Sequence, residues 1–185
     1  VKAGDWTLEY FNSVVSQLAT ENGDGKWDEN DTYGFSTPGS IGNTFFYGAG
    51  LKYVENSRDM DVPELVLDKK MEQALNVLDI ARFSDVMDKV LYLLYDCGGT
   101  SVYDAITDTE EQDLMREVFS RGECAMTTLR LIAVEQPDVR NMEQQYGIVP
   151  MPKYDEKQAD YGTAMHDQFT VFGVPVSAAE DKLEM

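Results

Sequence analysis

The chain has 185 residues and a formal net charge of −19, because 34 acidic residues outnumber 15 basic ones. This length suffices for one domain, or for one compact lobe of a larger protein. Lys and Arg nowhere cluster, which excludes a basic nucleic-acid-binding surface, and no apolar run approaches the roughly 18 residues that a membrane span needs.

The first predicted element is an amphipathic helix at residues 7–19. Leu8, Phe11 and Val15 recur at three- and four-residue intervals and give the segment one apolar face. Trp6 precedes this helix directly and can pack across its start. The chain enters a helix almost at once and ends soon after a capping-box pattern at 177–180, so both ends are expected to be cut from a longer protein.

Residues 20–31 predict a calcium-binding loop of the EF-hand type, which spaces oxygen ligands on alternate residues, turns on a glycine and closes with an acidic residue. Thr20 occupies the first position, where Asp is usual, so a bound ion would be held weakly and would be structural. A polar turn that keeps the loop's shape without an ion is the alternative. The expected ligands are Asn22, Asp24, Lys26 (through its carbonyl), Asp28 and Asp31.

Short elements are predicted after this loop. Residues 33–35 favour a brief strand, residues 36–40 a turn, and residues 43–48 a short aromatic helix. Residues 51–54 and 65–67 then indicate a strand pair around a polar excursion.

Three helices are predicted next. The first is capped by Asp68, and the second by Ser84 or Asp85, with Gly98 ending it. A capping-box pattern at 109–112 opens the third.

Three apolar runs in the last third of the chain predict buried strands, at 124–126, 146–152 and 169–175. Polar residues follow the first run and precede the last, and such loops form a rim where a small ligand can be held. The candidate ligand-binding residues from these loops are Thr127, Thr128, Arg130, His166 and Asp167.

These candidates differ in chemistry. Arg130 can hold an anionic or hydroxyl-rich ligand through two parallel hydrogen bonds, and a surface salt bridge is an equal alternative. His166 is the only histidine, and a lone histidine is more often a satisfied loop residue than a catalyst. Asp167 is better suited to grip a sugar hydroxyl, because a carboxylate accepts two hydrogen bonds at once.

Cys97 and Cys124 do not define a disulfide framework in a chain of this length. They are expected to be two small buried side chains, with a disulfide between them as the alternative.

The order of Gly-Glu-Cys-Ala-Met at 122–126, Tyr-Gly-Ile-Val-Pro-Met-Pro at 146–152 and Phe-Thr-Val-Phe-Gly-Val-Pro at 169–175 resembles the extracellular solute-binding proteins of ABC importers. The closest branch is the sugar-binding, family 1 type. The resemblance spans nearly the whole chain. It implies an α/β, three-layer, periplasmic-binding-protein-like (type II) lobe with a mixed sheet flanked by helices. Residues 1–185 would be the C-terminal lobe of a two-lobe protein.

The resemblance also implies a function. Such a lobe binds a sugar or oligosaccharide and closes by hinge motion without chemistry, together with a missing N-terminal lobe and an ABC permease. The full-length protein would be a lipoprotein at the cell surface. Ser40 and Asn43 join the candidates because the matching stretch approaches the ligand in that family. Leu131 and Ile132 stand where the family often has an aromatic residue that stacks on a sugar.

Two other functions stay open on the sequence. The calcium-type loop suggests a calcium-organised extracellular interaction module, and the many carboxylates leave room for a carbohydrate-active enzyme. No catalytic constellation is recognisable: neither cysteine lies in an activating motif, no Gly-rich phosphate loop follows a strand, and no histidine pair offers a metal site. Binding without chemistry is therefore the leading hypothesis.

Overall fold

The computed structural model describes most of the chain, with gaps; the described residues are 1, 3–28, 30–52, 54–56, 63–65, 79–103 and 108–165. Backbone alone is described for 54–56, 63–65, 79 and 108–112. The predicted helix after Asp68 and the predicted strand at 169–175 lie outside the described residues, as do the candidates His166 and Asp167.

The described helices and strands alternate along the chain, except for two consecutive strands between the second and third helices. The α-helices are α1 (Leu8–Leu18), α2 (Gly42–Gly48), α3 (Asp79–Leu91), α4 (Asp108–Ser120) and α5 (Pro137–Arg140). The strands are β1 (Tyr33–Pro38), β2 (Val54–Asn56), β3 (Pro63–Leu65), β4 (Thr100–Tyr103) and β5 (Cys124–Thr127). Short 3₁₀ turns at Gly39–Ile41 and Leu131–Glu135 and a π-helical turn at Tyr92–Asp96 complete the described elements.

The main sheet has the strand order β4-β1-β5, and both of its strand pairs are parallel. Phe35 of β1 lies opposite Thr100 of β4 on one side and Met126 of β5 on the other. β2 and β3 form a separate antiparallel pair. The protein is therefore α/β, with a small parallel sheet flanked by helices, as the sequence predicted at this level.

Helix α1 confirms the prediction made from its apolar face. Thr7 is its N-cap, and the Thr7 hydroxyl accepts a hydrogen bond from the Tyr10 amide at 3.3 Å. Leu8, Phe11 and Val15 are buried. The polar cap and the apolar stripe thus fix both the start of the helix and the face that it turns to the sheet.

The centre of the core is a group of three aromatic rings from α1, β1 and α2. The ring of Phe11 lies 5.2 Å from that of Phe35 and 5.7 Å from that of Phe45, measured between centroids. Phe35 and Phe45 are 1% and 0% exposed. The short aromatic helix predicted at 43–48 is therefore confirmed, and its phenylalanines belong to the core.

The turn predicted at 36–40 is wrong at its start, because β1 continues to Pro38. Ser36 and Thr37 are fully buried, and the Ser36 hydroxyl contacts the Met115 sulfur at 3.7 Å. As the middle strand of the sheet, β1 finds backbone partners on both sides, and these override the turn propensity of Ser-Thr-Pro-Gly. Pro38 stands at the strand's last position, where a missing N–H is tolerated.

Helix α3 already includes Asp79, the first described residue after a gap, so the cap expected at Ser84 or Asp85 is wrong. Asp85 instead pairs with Lys89 one turn later, and the hydrogen bond from Lys89 lowers the pKa of Asp85. After Leu91 the helix widens into the π-helical turn, and Gly98 follows it with a φ of 69°.

The strand predicted at 146–152 is also wrong. This segment belongs to no strand, and Ile148 and Val149 are 66% and 53% exposed. Pro150 and Pro152 lack the N–H groups that a sheet ladder needs. The segment is held instead by Trp6, two residues before α1, whose indole donates to the Pro150 carbonyl at 2.8 Å.

Residues 153–164 pack on other parts of the described chain. The Gln158 amide donates to the Gly48 carbonyl at 2.9 Å, and its oxygen accepts from Arg82 at 2.6 Å. The Lys153 ammonium, buried at 3% exposure, donates to the Gln158 carbonyl at 2.8 Å. Gln158 therefore fastens this loop to α2 and α3.

Candidate functional site

The loops that follow β1 and β5 open at one edge of the sheet. Both strands are parallel neighbours, so their carboxyl ends point the same way. Thr127, the last residue of β5, lies opposite Ser36, and its hydroxyl donates to the Ser36 carbonyl at 3.0 Å. Ser40 follows β1 closely, while Thr128 and Arg130 follow β5.

An open groove of 980 Å³ runs along β5. Trp6 and Phe11 form one part of its lining, and residues 144–152 form another. Three of the predicted ligand-binding residues, Thr127, Thr128 and Arg130, lie together in its wall.

The other candidates lie elsewhere or outside the described chain. Ser40 and Asn43 are exposed at the end of β1 and the start of α2, but they are not part of the groove lining. Their neighbour Thr44 does line the groove. Since His166 and Asp167 are not described, the ligand-binding set as a whole stays a prediction.

The electrostatics of the groove differ from those of the rest of the protein. Arg130 is the only charged side chain among the described residues that line it, although the chain carries 34 acidic residues. Arg130 is exposed, and the ion pairs within the described chain join other side chains. The salt bridge that the sequence left open for Arg130 is thus not made with any described carboxylate.

Two neighbouring threonines at the end of β5 differ in their hydrogen bonding. The Thr127 hydroxyl is satisfied by the Ser36 carbonyl, whereas the buried Thr128 hydroxyl has no partner among the described residues. An unsatisfied buried hydroxyl costs about 1–3 kcal/mol. The wall of the groove therefore leaves one hydrogen bond unmade at Thr128.

One aromatic side chain in the groove was missed by the sequence analysis. Tyr146 is 40% exposed and meets Phe119 edge to face, with 6.0 Å between the ring centroids. Its position at the head of an apolar run suggested a buried strand. Leu131 and Ile132, where an aromatic residue was considered, are 70% and 63% exposed.

The calcium-type loop is closed by a pair of backbone hydrogen bonds. The Thr20 amide donates to the Thr32 carbonyl at 2.8 Å, and the Thr32 amide donates to the Thr20 carbonyl at 3.0 Å. Inside the loop, the carboxylate of Asp31 is 4% exposed and accepts from the amides of Asn22 at 2.9 Å and Asp28 at 2.6 Å.

Two further loop carboxylates also bond to nearby backbone. Asp24 accepts from the Lys26 amide at 2.8 Å, and Asp28 accepts from the Asn30 amide at 2.8 Å. Within the described ranges, no three His, Cys, Asp or Glu side chains form a group that could hold a metal ion. The loop keeps its shape through its own hydrogen bonds, and calcium binding stays a prediction.

Both cysteines are free thiols. The Cys97 thiol is half-buried and donates to the Leu93 carbonyl at 3.0 Å. Burial raises the pKa of Cys124 to about 12, with a smaller contribution from the charge of Glu123. A thiol with such a pKa stays protonated at neutral pH and is a poor nucleophile.

Comparisons of the chain with protein-family models, with curated proteins and with solved structures gave no significant match. In the described part of the chain, no helix combines the length and the apolar character that crossing a membrane requires. The function therefore has to be inferred from the groove and its chemistry.

Proposed function

We propose that this chain is the C-terminal, ligand-binding lobe of an ABC-importer solute-binding protein that takes a sugar or oligosaccharide. One observation carries the proposal: the loops after β1 and β5 open at the same edge of a parallel sheet, and the loop after β5 lines the 980 Å³ groove. Open α/β sheets bind their ligands beyond the carboxyl ends of their strands.

The lining of the groove supports a sugar as the ligand class. Small-molecule sites are mostly apolar, with a few polar groups that fix orientation. The polar groups here include the side-chain amides of Gln144 and Gln145 and the guanidinium of Arg130, and the Tyr146 ring offers a face for the C–H groups of a sugar.

The rest of the proposal follows from the resemblance. The lobe would have the three-layer type II architecture, and a missing N-terminal lobe would close over the groove by hinge motion. The complete receptor would stand outside the cell on a lipid anchor and deliver its ligand to an ABC permease. Ser40 and Asn43 would approach the ligand from the loop after β1.

Ligand binding without turnover is the test. The purified chain is screened against a glycan panel by saturation-transfer NMR, which detects the weak binding expected of one lobe. We expect at least one oligosaccharide to bind and to be recovered intact by chromatography. Cleavage of the glycan, or the absence of binding to any member of the panel, would overturn the proposal.

Two tyrosine variants test whether the sugar binds in the groove. Tyr146→Ala removes the exposed ring of the groove and should weaken binding about fivefold to tenfold, the usual worth of one aromatic contact. Tyr95→Ala is the matched control, because Tyr95 is 67% exposed and is not part of the described groove lining. Equal effects of the two changes would place the sugar elsewhere.

A further inference from the structure

We infer that the ligand of this groove is an acidic sugar whose carboxylate pairs with Arg130. The inference rests on the proposed function and narrows its substrate class. It starts from the contrast between a strongly acidic chain and a groove wall whose only charged side chain, among the described residues, is a cation.

Two other arginines of the described chain pair with carboxylates, whereas Arg82 donates to Gln158 and Arg140 forms no ion pair with a described residue. Arg116 pairs with Asp138 at 3.1 Å, and Arg121 pairs with Glu123 at 2.6 Å. With 34 acidic residues, partners are abundant, and two carboxylates even share Arg116. Arg130 forms no such pair with a described residue, so its hydrogen-bond donors are available to a ligand.

The surroundings of Arg130 favour a carboxylate over a neutral hydroxyl. A guanidinium presents two parallel N–H groups that match the two oxygens of a carboxylate, and charge-assisted hydrogen bonds are about twice as strong as neutral ones. No described carboxylate of the groove wall competes for the cation or repels an incoming anion.

Thr128 supplies a second polar group near the same end of β5. Its hydroxyl lacks a partner among the described residues, and it stands two positions before Arg130 in the same wall. A rotation of about 120° about χ1 would move the hydroxyl to another staggered position, from which it could reach a ligand oxygen. Arg130 would thus select ligands with a negative charge, and Thr128 would add a hydrogen bond to the ligand.

The experiment compares sugars that differ in charge. The probes are trigalacturonate with its methyl ester, and 3′-sialyllactose with lactose, titrated into the chain by NMR. We expect the acidic member of at least one pair to bind about tenfold tighter than its neutral partner. Arg130→Gln should remove that preference, whereas Arg130→Lys should keep part of it.

Two further variants locate the effect. Thr128→Val should weaken the binding of the preferred acidic sugar a few fold, because one neutral hydrogen bond to the ligand is lost. Arg140→Gln removes the same charge from the exposed surface, at a residue outside the described groove lining, and should leave all affinities unchanged. The NMR spectrum of each variant also reports whether it is folded.

The outcomes separate this inference from the proposed function. Equal or stronger binding of the neutral sugars overturns the acidic-sugar inference and leaves the receptor proposal standing. A preference for acidic sugars that survives Arg130→Gln overturns the role of Arg130. Binding of none of the four probes, in a chain that binds another neutral glycan, again overturns the inference alone, whereas binding of no glycan at all overturns both.

Discussion

A methyl group on Gly34 would lie 2.0 Å from the carbonyl oxygen of Val15. The backbone of β1 therefore passes α1 so closely that glycine is required at this position, although its φ is ordinary for any residue. Gly34→Ala would force the helix and the strand apart in the centre of the core. We expect a loss of about 3 kcal/mol in the free energy of unfolding, measured by urea denaturation.

Gly147→Ala is the matched control for that change. A methyl group at Gly147 would meet no atom within 4 Å. Its effect on stability should stay within about 0.5 kcal/mol. Similar stability of the two variants would mean that β1 and α1 are not in close contact.

The indole hydrogen bond of Trp6 gives a second prediction. Trp6→Phe removes the donor to the Pro150 carbonyl and keeps a ring near Phe11, which lies 5.5 Å away between centroids. The loss of one partly buried hydrogen bond should cost about 1 to 2 kcal/mol in denaturant unfolding. Trp27→Phe, at a ring that is 44% exposed, should cost less than about 0.5 kcal/mol. The reverse order would contradict the anchoring of residue 150 to the start of α1.

The buried thiol of Cys124 predicts how stability depends on pH. In the unfolded chain a thiol titrates near about pH 8.5, whereas in the folded protein burial raises the pKa of Cys124 to about 12. Between these values the unfolded state loses a proton that the folded state keeps. The contribution of the Cys124 thiol to the free energy of unfolding is therefore complete below about pH 8.5. It is lost as the pH rises towards 12, and the free energy of unfolding falls by up to about 1.4 kcal/mol per pH unit.

Cys124→Ala isolates this contribution from those of other groups that titrate in alkali. Between pH 8 and pH 10 the wild-type chain should lose about 2 kcal/mol more than the variant, judged from urea midpoints. Parallel pH profiles for the two proteins would show that the thiol is accessible to solvent.

Calcium binding by the loop at 20–31 is tested by thermal melting. If the loop binds the ion, millimolar CaCl₂ should raise the melting temperature, because a ligand that binds only the folded state stabilises it. Thr20→Asp adds the usual first ligand and should enlarge the rise, while the double change Asp24→Asn and Asp28→Asn should abolish it. If calcium leaves the melting temperature of every variant unchanged, the loop at 20–31 is a polar turn held by the hydrogen bonds of Asp31 and binds no calcium.

The sequence predicted those helices and strands that are determined by interactions between neighbouring residues. The apolar stripe of α1, the aromatic helix α2 and the short strand β5 all carry their information within a few neighbouring residues. The length of β1 could not be predicted in this way, because Ser36 and Thr37 become strand residues only when β4 and β5 lie on either side of them.

The candidate site was predicted to a similar extent. Thr127, Thr128 and Arg130 follow directly from the rule that ligands meet the ends of buried strands, and they lie in one groove wall. Tyr146 was not predicted as a groove residue, because its exposure depends on the two prolines that keep residues 146–152 out of the sheet. No periodicity within that run distinguishes an extended groove wall from a buried strand.

The contact between Trp6 and Pro150 joins positions separated by 144 residues. Helix α1 can form from local contacts alone, whereas the hydrogen bond from Trp6 to Pro150 can form only after residue 150 has packed beside the start of the helix. Contacts of such sequence separation slow folding, and those that form after the rate-limiting step mainly govern how fast the protein unfolds. Trp6→Phe should therefore speed unfolding in stopped-flow experiments while refolding keeps nearly its original rate.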